Sequence, residues 1–569
     1  MRWLLGIMLM MVGLAGPAWA GADHQPFVSI AFHAVVDQPA DLETDAVTTR
    51  TFVQFLDWLK AQGWTPVSLD DLSDAAAGRR KLPAKAILLT FDDARESLYS
   101  RVFPLLKAYH YPAVAAVVGV WMDEAPGTVP KGDDVASPPD SITWAQAREM
   151  QASGLIEFAS HGYDLHHADL ANPHGGETPA TVTWRYDRRS GQYEDDAHYA
   201  ARIRADLKRS MALLEAHLGR RPRAIAWPYG RYTGLALDIA RELGLAFSFD
   251  LEPEPSDAAD LSAIHRYYPS GDPGLGDIVR NLRFDAPGPR TLRIACLTLD
   301  ALAASADGAA QDAALGRMIE GLRALGVNTV IIDANARLAS PKSPLGEVYF
   351  PTSLRPWRAD ILGRATWQIR TRAGADVFLR LPLARAEAAV GEANVPRLFA
   401  DMLRYSRPDG ITLDLPTPAG SAVAADRPEE IRDRRSALNA GRLDSRTALG
   451  LAAYRAAAGI DPRLRLMLEE VQPGGPPDWA DIALLPPSRD AEEVGALASR
   501  LRANGWLQPN VAGRVAFSLP ADPVQRLNAL RVAQRQGASA FALCPDAPAL
   551  PPAATLSAVF SAVTYPHRP

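Results

Sequence analysis

The chain has 569 residues, 47% of them hydrophobic and 22% charged, with a net charge of −6. That length exceeds what one hydrophobic core can serve and implies several domains or two large barrels. The composition is that of a globular protein, and a negative balance with no basic run argues against a nucleic-acid binder.

The first twenty residues read as a signal peptide. Arg2 supplies the positive start, Trp3 to Leu14 form an apolar stretch, and Ala18-Trp19-Ala20 before Gly21 is a small-residue cleavage site. The apolar stretch is shorter than a spanning helix needs. No cysteine follows the cleavage site, so no lipid anchor is expected and the mature chain is read as exported and soluble.

Phe27 to His33 then forms an apolar strand ending in a histidine. Thr51 to Gly63 carries Phe52, Phe55, Leu56 and Leu59 at helical spacing, with Gly63 as its stop. Ile87 to Phe91 reads as a buried parallel strand that ends abruptly in Asp92 and Asp93, where α/β folds place their chemistry. Taken alone, the pair also suits an Asx cap on the next helix. Further βα alternation follows through Val102, Leu105, Leu106 and the strand Ala113 to Val118, which implies a parallel sheet.

Leu155 to Ser160 is another strand, and it ends in His161-Gly162-Tyr163-Asp164-Leu165-His166. On a helix, residues five apart diverge by about 140°. His161 and His166 can therefore share a cation only across a turn, which Gly162 favours. Residues 168–199 are polar and read as a long surface excursion. A helix over Ala200 to Leu218, closed by Gly219, leads to a strand and the tight turn Trp227-Pro228-Tyr229-Gly230. Three strand ends thus bring together carboxylates, imidazoles and a Pro-Tyr-Gly turn, with Asp93, His161 and His166 as an N/O ligand set for a divalent cation. Asp92 is then a base and His33 a candidate proton donor.

The motifs TFDDA, SHGYDLH and WPYG, in that order, resemble the polysaccharide deacetylases of carbohydrate esterase family 4. The histidine spacing and the insert Glu177 to Glu194 resemble the subgroup of periplasmic poly-β-1,6-N-acetyl-D-glucosamine N-deacetylases of biofilm export. The resemblance implies Asp92 as general base and Asp93, His161 and His166 as ligands of a divalent metal ion (Zn, Ni, Co or Fe). It also implies His33 as acid and the Tyr229 backbone N–H as an oxyanion donor. The implied fold is a distorted (β/α)7-type deacetylase barrel over residues 21–285, with a periplasmic location. The implied partners are a β-linked N-acetylglucosamine polysaccharide and an outer-membrane export porin. Ala94 replaces the usual glycine, and it would be strained if that position needs positive φ.

Ala286-Pro287-Gly288-Pro289 reads as a linker within 286–290. Beyond it, eight strand-like runs alternate with helical patterns: Leu292–Leu297, Thr329–Asp333, Val377–Leu381, Gly410–Leu413, Leu464–Leu468, Ile482–Leu485, Val515–Leu519 and Ala540–Cys544. They imply a (β/α)8, TIM-like barrel over 291–569. Acids available at its mouth are Asp300, Asp333, Asp414, Glu469, Glu470 and Asp546. The resemblance extends to a glycoside-hydrolase-like barrel whose acidic signatures have eroded here: Arg380 stands in place of a tryptophan, and Asp414-Leu415-Pro416 in place of His-Asp-Asp. That makes hydrolysis by this half doubtful. Asp300, Asp333 and Asp414 are instead expected to offer an acidic surface to a cationic glycan. Cys296 and Cys544 fall on the first and last barrel strands and are expected to be buried free thiols.

Overall fold

The computed structural model describes residues 24–38, 45–123, 141–282, 291–305, 307–337, 345–415, 428–438, 443–469, 471, 477, 479–508, 511–520 and 522–544. The expected signal peptide (1–20), the linker (286–290), Glu470 and Asp546 lie outside them. The chain packs as two compact units. One contains 45–116, 142–159 and 247–282 with the first strand; the other contains 160–246 together with everything after 283.

The first sheet runs in the order Phe247–Phe249, Ala224–Ala226, Ile156–Ser160, Ala113–Val117, Ala86–Phe91, Pro26–Phe32 and Ser256–Asp257. Isolated bridges join Ile264 to Phe249 and Tyr267 to Ile30, so the segment between them links the two sides of this sheet in the distorted barrel expected. Pro26–Phe32 runs parallel to Ala86–Phe91 in a register that sets Phe32 beside Phe91. That register brings the next residues, His33 and Asp92, to the same edge, and Asp92 N–H donates to the Phe32 carbonyl at 2.9 Å.

Helix Thr49–Gln62 covers this part of the sheet. Thr48 caps it by accepting from Thr51 N–H, and Gly63 closes it at φ 70°. Its apolar stripe buries Phe52 and Phe55, which pack on Phe32 at ring separations of 5.2 and 5.7 Å, while Phe91 lies 5.7 Å from Phe32. Each buried phenyl ring contributes about 2–3 kcal/mol of transfer free energy. The cluster therefore clamps the strand ends from which His33 and Asp92 leave.

In the other unit the insert is not the surface excursion its polarity implies. Hairpins Ala168–Leu170/Glu177–Pro179 and Tyr186–Asp187/Gln192–Tyr193 flank a segment, Ala180 to Trp184, that is buried throughout. Trp184 stacks on Tyr199 at 4.3 Å, and the Tyr199 hydroxyl donates to the Thr181 carbonyl at 2.5 Å. Tyr199 belongs to helix Asp196–Leu218, capped by Asp195 and ended by Gly219 at φ 70°. Local polarity misled because the Thr183 hydroxyl is spent inside the fold on the carbonyls of Thr178 and Pro179.

The C-terminal sheet is a closed parallel barrel of eight strands that correspond one for one to the expected runs. Closure comes from Leu292–Leu297 pairing with Ala540–Leu543. Ile294, Ile331, Phe378, Met467, Ile482, Leu484 and Ala516 fill its interior. Gly410 is required there, since a Cβ at that position would collide with the Phe378 ring. One expectation is overturned: Cys296 and Cys544 form a disulfide, with Cα atoms 4.6 Å apart. Along their strands both residues continue the inward-facing even positions (292, 294 and 540, 542), so barrel closure turns the two sulfurs toward each other.

Candidate active site

Asp93, His161 and His166 each offer one ligand atom, and the three atoms lie within 4.8 Å of one another. Asp93 and His161 are buried. Asp93 and Ala94 sit at φ 70° and 51°, so the strand end turns through two left-handed residues. Ala94 thus occupies the strained position its substitution for glycine implied, at a cost of about 1–2 kcal/mol. The turn is held by Ile142 N–H donating to the Ala94 carbonyl at 3.0 Å.

The histidine loop is fastened from two sides. Gly119 and Val120 N–H groups donate to the carbonyls of Gly162 and Tyr163 at 3.0 and 2.8 Å. Asp206, on helix Asp196–Leu218, accepts from both Tyr163 N–H and Asp164 N–H at 2.7 Å. Burial pushes the Asp206 carboxyl up to about 6, against the pull of those two amides.

His161 Nδ1 lies 2.7 Å from the Ala226 carbonyl, an acceptor that places the proton on Nδ1 and leaves Nε2 for a cation. The aromatic rings of Trp121 and Tyr229 stand 4.9 and 4.6 Å from His166. The neighbouring His167 is 3.3 Å from Asp169, a contact that raises its pKa despite burial. Two imidazoles and a carboxylate suit a borderline divalent cation such as zinc, nickel, cobalt or iron, and the ordered tautomer of His161 fits that use.

Asp92 does not join the ligand group. Arg266 takes both its oxygens, at 2.7 and 2.8 Å, with the guanidinium fully buried and its Nε donating to the Asp250 carbonyl at 2.9 Å. Asp250 in turn lies 3.0 Å from His265 Nδ1. His33 meets Asp45 and Asp93 within 4.8 Å and packs edge-on against Tyr268 at 5.0 Å. Arg95 stands 3.6 Å from both Asp45 and Asp93. Tyr229 adopts φ 57° in the turn Pro228–Gly230, close to the histidines as the motif implied. Arg266, Asp206, Asp45 and Arg95 escaped the sequence reading, because no spacing rule links them to the strand-end motifs.

At the barrel mouth the expected acids are not a bare acidic surface. Arg380 Nε donates to Asp333 at 2.5 Å and its other end lies 3.6 Å from Glu469. Arg446 donates to Asp414 at 2.5 Å. Asp300 accepts from Tyr349 and from Arg337 N–H at 2.9 and 3.0 Å, with Arg358 at 3.9 Å. Each carboxylate therefore faces a cation, which cancels most of its field.

Residues 79–248 match the polysaccharide deacetylase family, and residues 299–399 match hypothetical glycosyl hydrolase family 13. The chain thus carries a polysaccharide deacetylase domain ahead of a glycosyl-hydrolase-like barrel. More particularly, it is similar to the poly-beta-1,6-N-acetyl-D-glucosamine N-deacetylase of Escherichia coli K12, 34% identical over 364 residues, 63% of this chain and 53% of that protein. The chain thus aligns with about half the length of this relative. The enzyme of the same name from Staphylococcus epidermidis is 24% identical over 242 residues, 42% of this chain and 74% of that protein. Among solved structures, the BpsB deacetylase domain from Bordetella bronchiseptica is 40% identical with a TM-score of 0.39, covering 42% of this chain and 95% of that one.

Proposed function

We propose that the protein removes N-acetyl groups from a β-1,6-linked N-acetylglucosamine polymer in the periplasm during biofilm polysaccharide export, handing the product to an outer-membrane porin. The observation that carries this reading is the meeting of Asp93, His161 and His166, with Asp92 beside them and His33 within reach of Asp93. A divalent cation bound there supplies Lewis acidity and lowers the pKa of water.

The chain's own residues do the remaining work. Asp92, held by Arg266, takes a proton from the attacking water. The positive-φ turn at Tyr229 presents backbone N–H to the oxygen that becomes negative as water adds to the acetamide carbon. His33 returns a proton to the nitrogen as the C–N bond breaks, leaving acetate and a free amine. The Cys296–Cys544 bridge supports an oxidising compartment. The arginines facing Asp333 and Asp414 argue against hydrolysis by the barrel.

The test is acetate release from poly-β-1,6-N-acetylglucosamine oligomers by metal-reconstituted protein. Asp92→Asn is expected to lower turnover by about 10²–10⁴-fold with metal still bound. Asp93→Ala is expected to lose both. Turnover retained in Asp92→Asn overturns the assignment.

A further inference from the structure

Two neighbouring carboxylates, Asp92 and Asp93, each face an arginine, and the two pairings differ. Arg266 meets Asp92 through two short bonds, at 2.7 and 2.8 Å. Arg95 meets Asp93 through Nε at 3.6 Å and Asp45 through Nη2 at 3.6 Å. The first pairing is a fixed fork. The second is one guanidinium shared between two carboxylates, at separations longer than a hydrogen bond.

The chain builds this triad locally. Asp93 and Ala94, at φ 70° and 51°, turn the strand end so that the side chain two positions on comes back to Asp93. Asp45 arrives from the other side, one residue before strand Ala46–Thr48. Asp45, Asp93 and His33 bring ligand atoms within 4.8 Å of one another. Those donors suit a second cation, but a guanidinium already serves as the counterion there. Two carboxylates this close repel unless a cation lies beside them. The Asp93, Arg95 and Asp45 side chains are 4%, 16% and 25% exposed, so solvent screens the triad only in part.

The charges then set up a competition. Asp45, Asp93 and Arg95 together carry a single negative charge. A divalent cation on Asp93 turns that sum positive, whereas the same cation without Arg95 would leave it neutral. Cation and guanidinium therefore oppose each other at Asp93, and Asp45 is the second place for the guanidinium to go.

We propose that Arg95 is an internal competitor of the cation at Asp93, with Asp45 as its alternative partner, and that this exchange sets how tightly the cation is held. The inference rests on the proposed function only in taking Asp93 as a metal ligand. Arg95 is a positioning residue in this scheme: it keeps the Asp93 carboxylate charged and placed, and it trades affinity for reversible loading.

Cobalt(II) affinity of the full chain, measured by chelator competition, tests it. Arg95→Met is expected to tighten binding by about ten- to hundredfold. Arg95→Lys keeps the charge and is expected to stay within about threefold of wild type. Asp45→Asn is expected to weaken binding by about tenfold with Arg95 present, and by less in the Arg95→Met background. Should Arg95→Met alone not fold, the step from Asp45→Asn to the double variant repeats the test without the surplus carboxylate. An arginine that merely propped Asp93 in place would give the opposite sign, weaker binding in Arg95→Met. Cobalt held no more tightly without Arg95, or an equal effect of Asp45→Asn with and without Arg95, overturns the proposal. If Asp93→Ala binds cobalt as wild type does, the reading of Asp93 as a ligand fails and the proposal with it. If the cobalt results hold but the wild-type chain releases no acetate, the proposed function fails and the exchange stands.

Discussion

Arg266 and Asp206 illustrate how much of the candidate site depends on residues far along the chain from the motifs they hold. Arg266 neutralises Asp92 from 174 positions away. Arg266→Met removes the cation from a buried carboxylate and is expected to cost about 3–5 kcal/mol, read by chemical denaturation, with part recovered in the Arg266→Met/Asp92→Asn double variant. Asp206 ties down two amides of the histidine loop and is not itself one of the candidate ligands. Asp206→Ala is expected to weaken metal retention by about 10–100-fold in a chelator competition, since groups that orient metal ligands act on that scale. Asp92, Asp93, His33 and His161 could be singled out because each follows the end of an apolar strand, and His166 because of its spacing from His161 across a glycine turn. Arg266 was not, because a single arginine after Ile264-His265 carries no pattern of its own.

Among the elements, the insert departs furthest from its sequence appearance. Its second hairpin reaches Asp360: the Tyr193 hydroxyl donates to that carboxylate, and His174 Nε2 lies 2.8 Å from the Asp360 carbonyl. Burial pushes the Asp360 carboxyl up to about 6. A carboxyl raised on folding stabilises the native state fully below its ordinary value near 3.8, and that contribution is lost as pH rises through the folded value. The loss amounts to about 3 kcal/mol once Asp360 is ionised. His174, held down by burial and by Arg364, contributes a slope of opposite sign on the acid side. Thermal melts of wild type against Asp360→Asn isolate the carboxyl: the variant is expected to be the more stable of the two at pH 7.5 and to lose about half of that advantage at pH 5.

At the scale of the molecule, the eight barrel runs were readable because a strand buried on both faces is a short apolar block, and eight such blocks between helical patterns leave few alternatives. The disulfide was not readable, since strand neighbours need not point the same way. Closing a loop with a sequence separation of 248, it is expected to stabilise the barrel by about 2–4 kcal/mol. Cys296→Ala/Cys544→Ala should lower the melting temperature while leaving acetate release per folded molecule unchanged, because neither sulfur belongs to the metal-ligand group. The sequence by itself determined the two α/β halves and the strand ends at which Asp92, Asp93, His33 and His161 stand, since periodicity and strand-terminal motifs are local. Only the tertiary structure decided that Asp92 is paired with Arg266, that the barrel acids face arginines, that the insert is buried and that the cysteines are joined. Each of those depends on which distant side chains barrel closure and sheet register bring within a few ångströms, a matter of geometry that no local pattern records.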